Sequence, residues 1–229
     1  MSSYNDDNVF ENYLNSRVED DSPHNKTIKN KLLELVGDYE DKSILDIGCG
    51  IGNFCKAFSD KAKKIIGIDI SFRVIEYAKQ NNNADNIEYI VYDIAKLKEI
   101  NEKFDIIFSD MVFNYIEDYD KLLKDIYNCL NPNGTVVISQ IHPISTASLG
   151  ESSWVEEEGN LRFKLDNYSN VSKRKREYFT GTFELYHRRF EELINIAIKN
   201  GFSIEGVYEP YITEKEYNRP SFLLIKLKK

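Results

Sequence analysis

The sequence predicts an α/β fold, a doubly wound and mostly parallel sheet of seven strands with helices on both faces. Three observations predict it. From residue 43 onward, short β-branched apolar runs alternate with longer stretches of helical period, the pattern of βαβ units. A glycine loop, Gly48-Cys49-Gly50-Ile51-Gly52, sits where the first strand gives way to the first helix. Acids close three successive strands, Asp46, Asp69 and Asp93, at the carboxyl edge of the sheet where open α/β folds bind ligands.

Ser43 to Ile47 (SILDI) reads as the first strand and Gly52 to Asp60 as its helix. Lys64 to Ile68 is the second strand, and Ser71 is a natural N-cap for a helix that runs to Asn81 and breaks at Asn81-Asn82-Asn83. Ile87 to Val91 and Phe104 to Phe108 are strands three and four. Tyr119 to Leu130 is an amphipathic helix that Asn131-Pro132-Asn133-Gly134 ends, and Thr135 to Gln140 is strand five. Arg188 to Asn200 carries apolar residues at helical spacing and stops at Gly201, before two closing strands, Phe202 to Tyr208 and Phe222 to Leu227.

Two regions fall outside this rhythm and divide the chain. Residues 1–42 are polar and acidic before a helix from about Lys26 to Val36, and read as a helical segment or lid ahead of a domain spanning 43–229. Residues 142–187 are too long for an ordinary loop and rich in aromatic side chains, so they read as a cap insertion. Within it, Lys173 to Arg176 (KRKR) reads as a solvated turn.

The chain has 229 residues, 30 basic and 38 acidic, a formal charge of -8. That field repels phosphate backbones and anionic membranes. No apolar run is long enough to cross a bilayer, and the start is not that of a secretory signal. Cys49, Cys55 and Cys129 lack metal-ligand spacing, so no metal is expected. These features point to a cytoplasmic protein whose partner is a small molecule, with neither nucleic acid nor membrane involved.

The glycine loop allows positive φ and a close ligand approach, with helix N-terminal N–H groups free to meet a polar group. Asp69 is placed to receive ribose hydroxyls and Asp93 a purine amino group. The third glycine comes one residue early for the dinucleotide fingerprint, and an acid opens the loop, which suits a ligand bearing an ammonium group better than a pyrophosphate.

In order and spacing, ILDIGCGIGNF, IIGIDIS, YIVYDIA and FDIIFSDMVFNYIEDYDKLLKDIYNCLNPNGTVVIS resemble the class I S-adenosylmethionine-dependent methyltransferases, and more narrowly their small-molecule branch. The segments Tyr186 to Phe202 and Arg219 to Leu223 resemble the same branch. The resemblance implies a Rossmann-like sheet with its last strand antiparallel. It implies that Asp46 and the backbone of Gly48, Cys49, Gly50 and Gly52 hold the methionine end of S-adenosylmethionine. It further implies that Asp69 holds the ribose with Ile70 against the adenine, that Asp93 and Ile94 meet the adenine, and that Ser109 meets the amino end through its backbone. Tyr13 and Arg17 match a Tyr-x-x-x-Arg seen ahead of the first strand in similar enzymes, which would bring Arg17 onto the methionine carboxylate. Where relatives often carry a histidine this chain has Asn114, and it lacks the Asp/Asn-Pro-Pro-Tyr/Phe box of base and amide methyltransferases.

The reading is methyl transfer to an oxygen or nitrogen of a small metabolite. His142, after strand five, is preferred over His187 as general base, with a packing role as the alternative for each. Trp154 and Tyr178 are candidate acceptor contacts or cap core, and Glu151 and Glu156 to Glu158 are a solvated run or a site for a cationic acceptor. Two competing readings are a noncatalytic binder of the cofactor or its product that engages a protein partner through its cap, and a nicotinamide-dependent oxidoreductase.

Overall fold

A computed structural model describes residues 3–18, 28–149, 154–210 and 220–229. The central sheet is built from β1 (Ser43–Ile47), β2 (Lys64–Asp69), β3 (Ile87–Val91), β4 (Phe104–Asp110), β5 (Leu130–Ile141), β10 (Ser203–Tyr208) and β11 (Phe222–Lys228), in the order β10-β11-β5-β4-β1-β2-β3. The order reverses beside β1, which opens the crevice at the carboxyl ends of β1, β2 and β4. β11 alone runs against its neighbours, antiparallel to both β5 and β10, as expected for the last strand.

Both faces of the sheet are covered, so its central strands are apolar throughout rather than alternating. On one face Leu45, Ile47, Ile66 and Ile107 pack with α5 (Tyr119–Cys129) and α7 (Phe190–Lys199). On the other, Ile44, Ile65 and Phe108 pack with α2 (Asn30–Val36), α3 (Asn53–Phe58) and α4 (Phe72–Asn81). Tyr13 of α1 (Asp7–Val18) joins this second layer, so the N-terminal helix sits against the domain at the glycine loop.

The cap insertion comprises a short helix, α6 (Pro143–Thr146), and two antiparallel hairpins, β6 (Trp154–Glu157) with β7 (Asn160–Phe163) and β8 (Lys173–Tyr178) with β9 (Gly181–Tyr186). The structure corrects the reading of the basic run. Lys173 to Arg176 is strand β8, and Arg174 and Arg176 are only 2% and 8% exposed. Alternation in the strand turns them inward, where carbonyl oxygens replace water. Arg174 donates to the carbonyls of Ala147 and Asn170, and Arg176 to that of Ser148. The run is neither a turn nor a surface patch.

Smaller differences have local causes. Ser71 occupies the N-cap position of α4, but its hydroxyl donates to Asn5 Oδ1 instead of capping. Helix α7 begins at Phe190 rather than at Arg188, with Arg189 at its N-cap. Pairing of β5 reaches back to Leu130, with a register shift on β4 between Phe104 and Ile106 where Asn133 takes a left-handed φ. The expected helix start near Lys26, Glu151 and Arg219 lie outside the described residues.

Candidate active site

The glycine loop leaves β1 at Ile47 and turns into α3. Gly48 and Gly50 have φ of 70° and 53°, and a Cβ on either would fall 2.2 Å from an atom already in place, Val112 Cγ2 for Gly48 and the Tyr13 hydroxyl for Gly50. A larger residue at either position would have to displace that neighbour as well as adopt a left-handed backbone. The loop amides, however, are spent within the protein. Gly48 and Cys49 both donate to the Ile68 carbonyl, Gly52 to that of Cys49, and Gly50 to Asp69 Oδ2. These N–H groups are therefore not the free ligand donors expected, and the close approach that the two glycines allow is taken up by Val112 and Tyr13.

Asp69, at the end of β2, accepts from the backbone of Ser71 at 2.8 Å and of Gly50 at 3.2 Å, so its carboxylate is rigidly aimed. Burial raises its pKa to about 6 despite these amide bonds. Asp46 lies deeper, 2% exposed, with the Cys55 thiol donating to it at 3.2 Å, and burial pushes its pKa to about 7. Two carboxyl groups so poorly hydrated beside one loop form an environment that a cation would relieve.

A cavity of about 1150 Å³ opens from these strand ends. Its floor includes Gly48, Asp69, Ile70, Asp93 and Ile94; its roof is formed by Tyr4, Tyr13 and Arg17 from the N-terminal segment and Tyr178, Phe179 and Phe183 from the second cap hairpin. A second cavity of about 50 Å³ lies under the roof, lined by Asp46, Cys49, Tyr13 and Arg17 among others. Arg17 stands over the Tyr13 ring and 3.9 Å from Asp110. The Tyr4 ring packs on Tyr13 and Phe183 at 4.9 and 5.0 Å, so N-terminal segment and hairpin meet above the cavity.

Several expected residues are elsewhere. His142 is 3% exposed and lines neither cavity; its Nδ1 accepts from the Ile144 amide as the N-cap of α6 and its Nε2 meets Glu209 at 2.8 Å. His187 is fully buried, with Thr146 Oγ1 on Nδ1 and the Tyr168 carbonyl on Nε2, and burial lowers its pKa. Both imidazoles are held by hydrogen bonds within the protein, outside the lining of the two cavities. Ser109 lines neither cavity and its hydroxyl donates to the Ile47 carbonyl. Trp154 packs on Phe163 in the first cap hairpin, away from the cavity, whereas Tyr178 lines it. Glu156 to Glu158 are exposed. Asn114 holds the end of β5, accepting from the Ile141 amide at 2.7 Å.

Asp110 was missed, although the rule that singled out Asp69 and Asp93 applies to it: an acid at the carboxyl end of a parallel strand. Tyr115 and Phe183 also line the cavity, but no local pattern marks them.

Residues 38–192 match the family model described as a methyltransferase domain. This chain belongs to that family. It is an S-adenosylmethionine-dependent methyltransferase of class I, and that nucleoside is its cofactor. A solved S-adenosylmethionine-dependent methyltransferase from Mesorhizobium loti is 26% identical with a TM-score of 0.81, covering 92% of this chain and 99% of its own. A candidate member of the same class from Listeria monocytogenes is 31% identical with a TM-score of 0.79, covering 87% and 96%. An uncharacterised protein of Haemophilus influenzae is 32% identical across 100% of this methyltransferase and 97% of its own length. A malonyl-[acyl-carrier protein] O-methyltransferase of Hamiltonella defensa is 28% identical over 138 residues, and the match spans about half, 52%, of that relative.

Proposed function

We propose that this enzyme methylates an oxygen or nitrogen of a small-molecule acceptor. The observation that carries the reading is the roofed cavity. At about 1150 Å³ it exceeds the roughly 300–1,000 Å³ of a typical single-ligand site, so it has room for cofactor and acceptor side by side. Its roof of aromatic rings and its acidic surroundings suit a compact organic molecule better than a polymer.

The residues present fit S-adenosylmethionine: the poorly hydrated Asp46 and Asp69 call for a ligand with a cationic end and hydroxyl donors, at the edge of a cavity that Gly48 also lines. In this assignment Asp69 holds the ribose hydroxyls. Ile70 and Ile94 flank the adenine, with Asp93 near its amino group. Asp46 and the loop face the methionine end, and Arg17 meets its carboxylate with Tyr13 behind it. When bound, the cofactor supplies an electrophilic methyl group on a sulfonium. The protein's task is then to align the acceptor, exclude water and accommodate a released proton. Among the described residues no histidine lines the cavity, so the imidazole bases considered from sequence are replaced in this proposal by carboxylates such as Asp110, or by an acceptor that needs no base. The N-terminal segment acts as a lid, since Tyr4, Tyr13 and Arg17 all belong to the roof.

A cytoplasmic location is part of this proposal; among the described residues no helix is long and apolar enough to cross a membrane. The test is incubation with methyl-labelled cofactor and a fractionated cell extract. Label is expected in the low-molecular-weight fraction, and label confined to protein or nucleic acid would overturn the reading.

A further inference from the structure

Three groups of chemistry line the roofed cavity. The first is aromatic: Tyr4, Tyr115, Tyr178 and Phe183 come from three separate segments and converge with ring centroids 5.0 to 6.2 Å from Phe183. The second is acidic. Glu117 follows Tyr115 by two residues and lines the cavity with Asp110 and Asp118, as does Glu184 on the outer face of the hairpin, where it pairs with Lys173 at 2.9 Å. The third is a shortage of cation. Among the described lining residues the basic side chains are Arg17 and Lys121. Arg17 lies 3.9 Å from Asp110 and Lys121 lies 2.7 Å from Asp125. Arg176, on the same face of the hairpin as Tyr178, does not line the cavity, and donates to the carbonyls of Lys175 and Ser148.

An anionic acceptor placed here would give up its hydration without meeting an unpaired cation, and would face carboxylates. An ammonium group would meet ring systems and hydroxyl oxygens inside, with carboxylates at the mouth to draw it in. We propose that the acceptor is an amine with an apolar or aromatic body, bound as its cation among Tyr4, Tyr115, Tyr178 and Phe183. This rests on the small-molecule reading above and narrows it to nitrogen. In balance, the bound ammonium gives one proton to solvent at the carboxylate rim, its nitrogen lone pair becomes free, and the N–H bond lost is replaced by the N–CH3 bond gained as the C–S bond breaks. Tyr115 and Tyr178 thereby become specificity-determining residues.

The test uses the full-length protein loaded with S-adenosylhomocysteine. Calorimetry compares benzyltrimethylammonium with phenylacetate, an aromatic probe of opposite charge. The ammonium probe is expected to bind about tenfold or more tighter, and Tyr178→Leu, which keeps apolar volume but removes the ring, should erase most of that preference. Should the variant fail to fold, the wild-type comparison still decides. Equal or tighter binding of phenylacetate, which would mean that the field of Arg176 dominates, overturns the proposal, as does binding of neither probe. A labelling experiment separates this failure from that of the broader reading. Methyl label in an ester or ether of low mass sinks the amine assignment alone, whereas the absence of any low-mass product sinks both.

Discussion

Replacing Asp46 with asparagine should make the ligand-free protein more stable and the cofactor complex weaker, two effects of opposite sign from one atom change. The carboxyl group is 2% exposed, and its pKa rises from an ordinary 3.8 to about 7, chiefly through burial. A carboxyl raised in the folded state favours folding below the unfolded pKa, and that contribution is lost as pH climbs through the folded value. The window is therefore about pH 4 to 7, with stability falling as pH rises. At about 1.36 kcal/mol per pKa unit, the rise from 3.8 to about 7 makes the ionised group cost about 4 kcal/mol by pH 8. Coupling to Asp69 and structural relaxation reduce what a substitution recovers, so about 1–4 kcal/mol is expected. Asparagine retains an oxygen for the Cys55 thiol and carries no charge. Urea unfolding from pH 4 to 8 should show Asp46→Asn more stable than wild type at pH 8 and converging with it near pH 4. Calorimetry with S-adenosylhomocysteine should show affinity lower by about 1–3 kcal/mol, because the ligand's ammonium loses a charged acceptor. A variant that is less stable at pH 8 and binds the ligand as well as wild type would refute the reasoning and leave Asp46 as a structural partner of Cys55.

Asp69→Ala should weaken cofactor binding by about 1–3 kcal/mol in calorimetry while thermal unfolding of the free protein changes little, and unchanged affinity removes the ribose assignment. Ligand binding near pH 6.5 should release protons, because an ammonium beside Asp46 and hydroxyl donors on Asp69 favour the ionised carboxylates; the enthalpy should vary with buffer ionisation enthalpy, and no variation would contradict it. His142→Ala should leave the methyl-transfer rate within a fewfold of wild type and lower stability by about 1–2 kcal/mol through loss of the α6 cap, whereas a hundredfold loss of rate would reinstate it as a base. Gly50→Ala should displace Tyr13, with whose hydroxyl the new methyl would collide, and a melting temperature and affinity matching wild type would show that the helix is not seated on the loop.

The sheet was legible from sequence because its information is local. Apolar runs such as SILDI and FDIIF favour burial, glycines at 48 and 50 mark a backbone that side chains adopt only at a cost, and an acid at the end of a parallel strand reaches the crevice by chain direction alone. The order of the strands brings these ends together, and Asp46, Asp69 and Asp93 follow from it. What the tertiary structure alone decided was which side chains outside the sheet face that crevice. His142 and His187 looked available in sequence, yet strand β5, helix α6 and the cap hairpin turn both rings into hydrogen-bonded interior positions. Arg174 and Arg176 looked like surface charge, yet β-alternation buries them against carbonyls. Tyr4, Tyr115 and Phe183 lie far apart along the chain and share no spacing; only the docking of the N-terminal segment against the second hairpin makes them one wall of the cavity. Sequence patterns report burial along a single element, and a site assembled between elements becomes visible only when the contacts between them are formed.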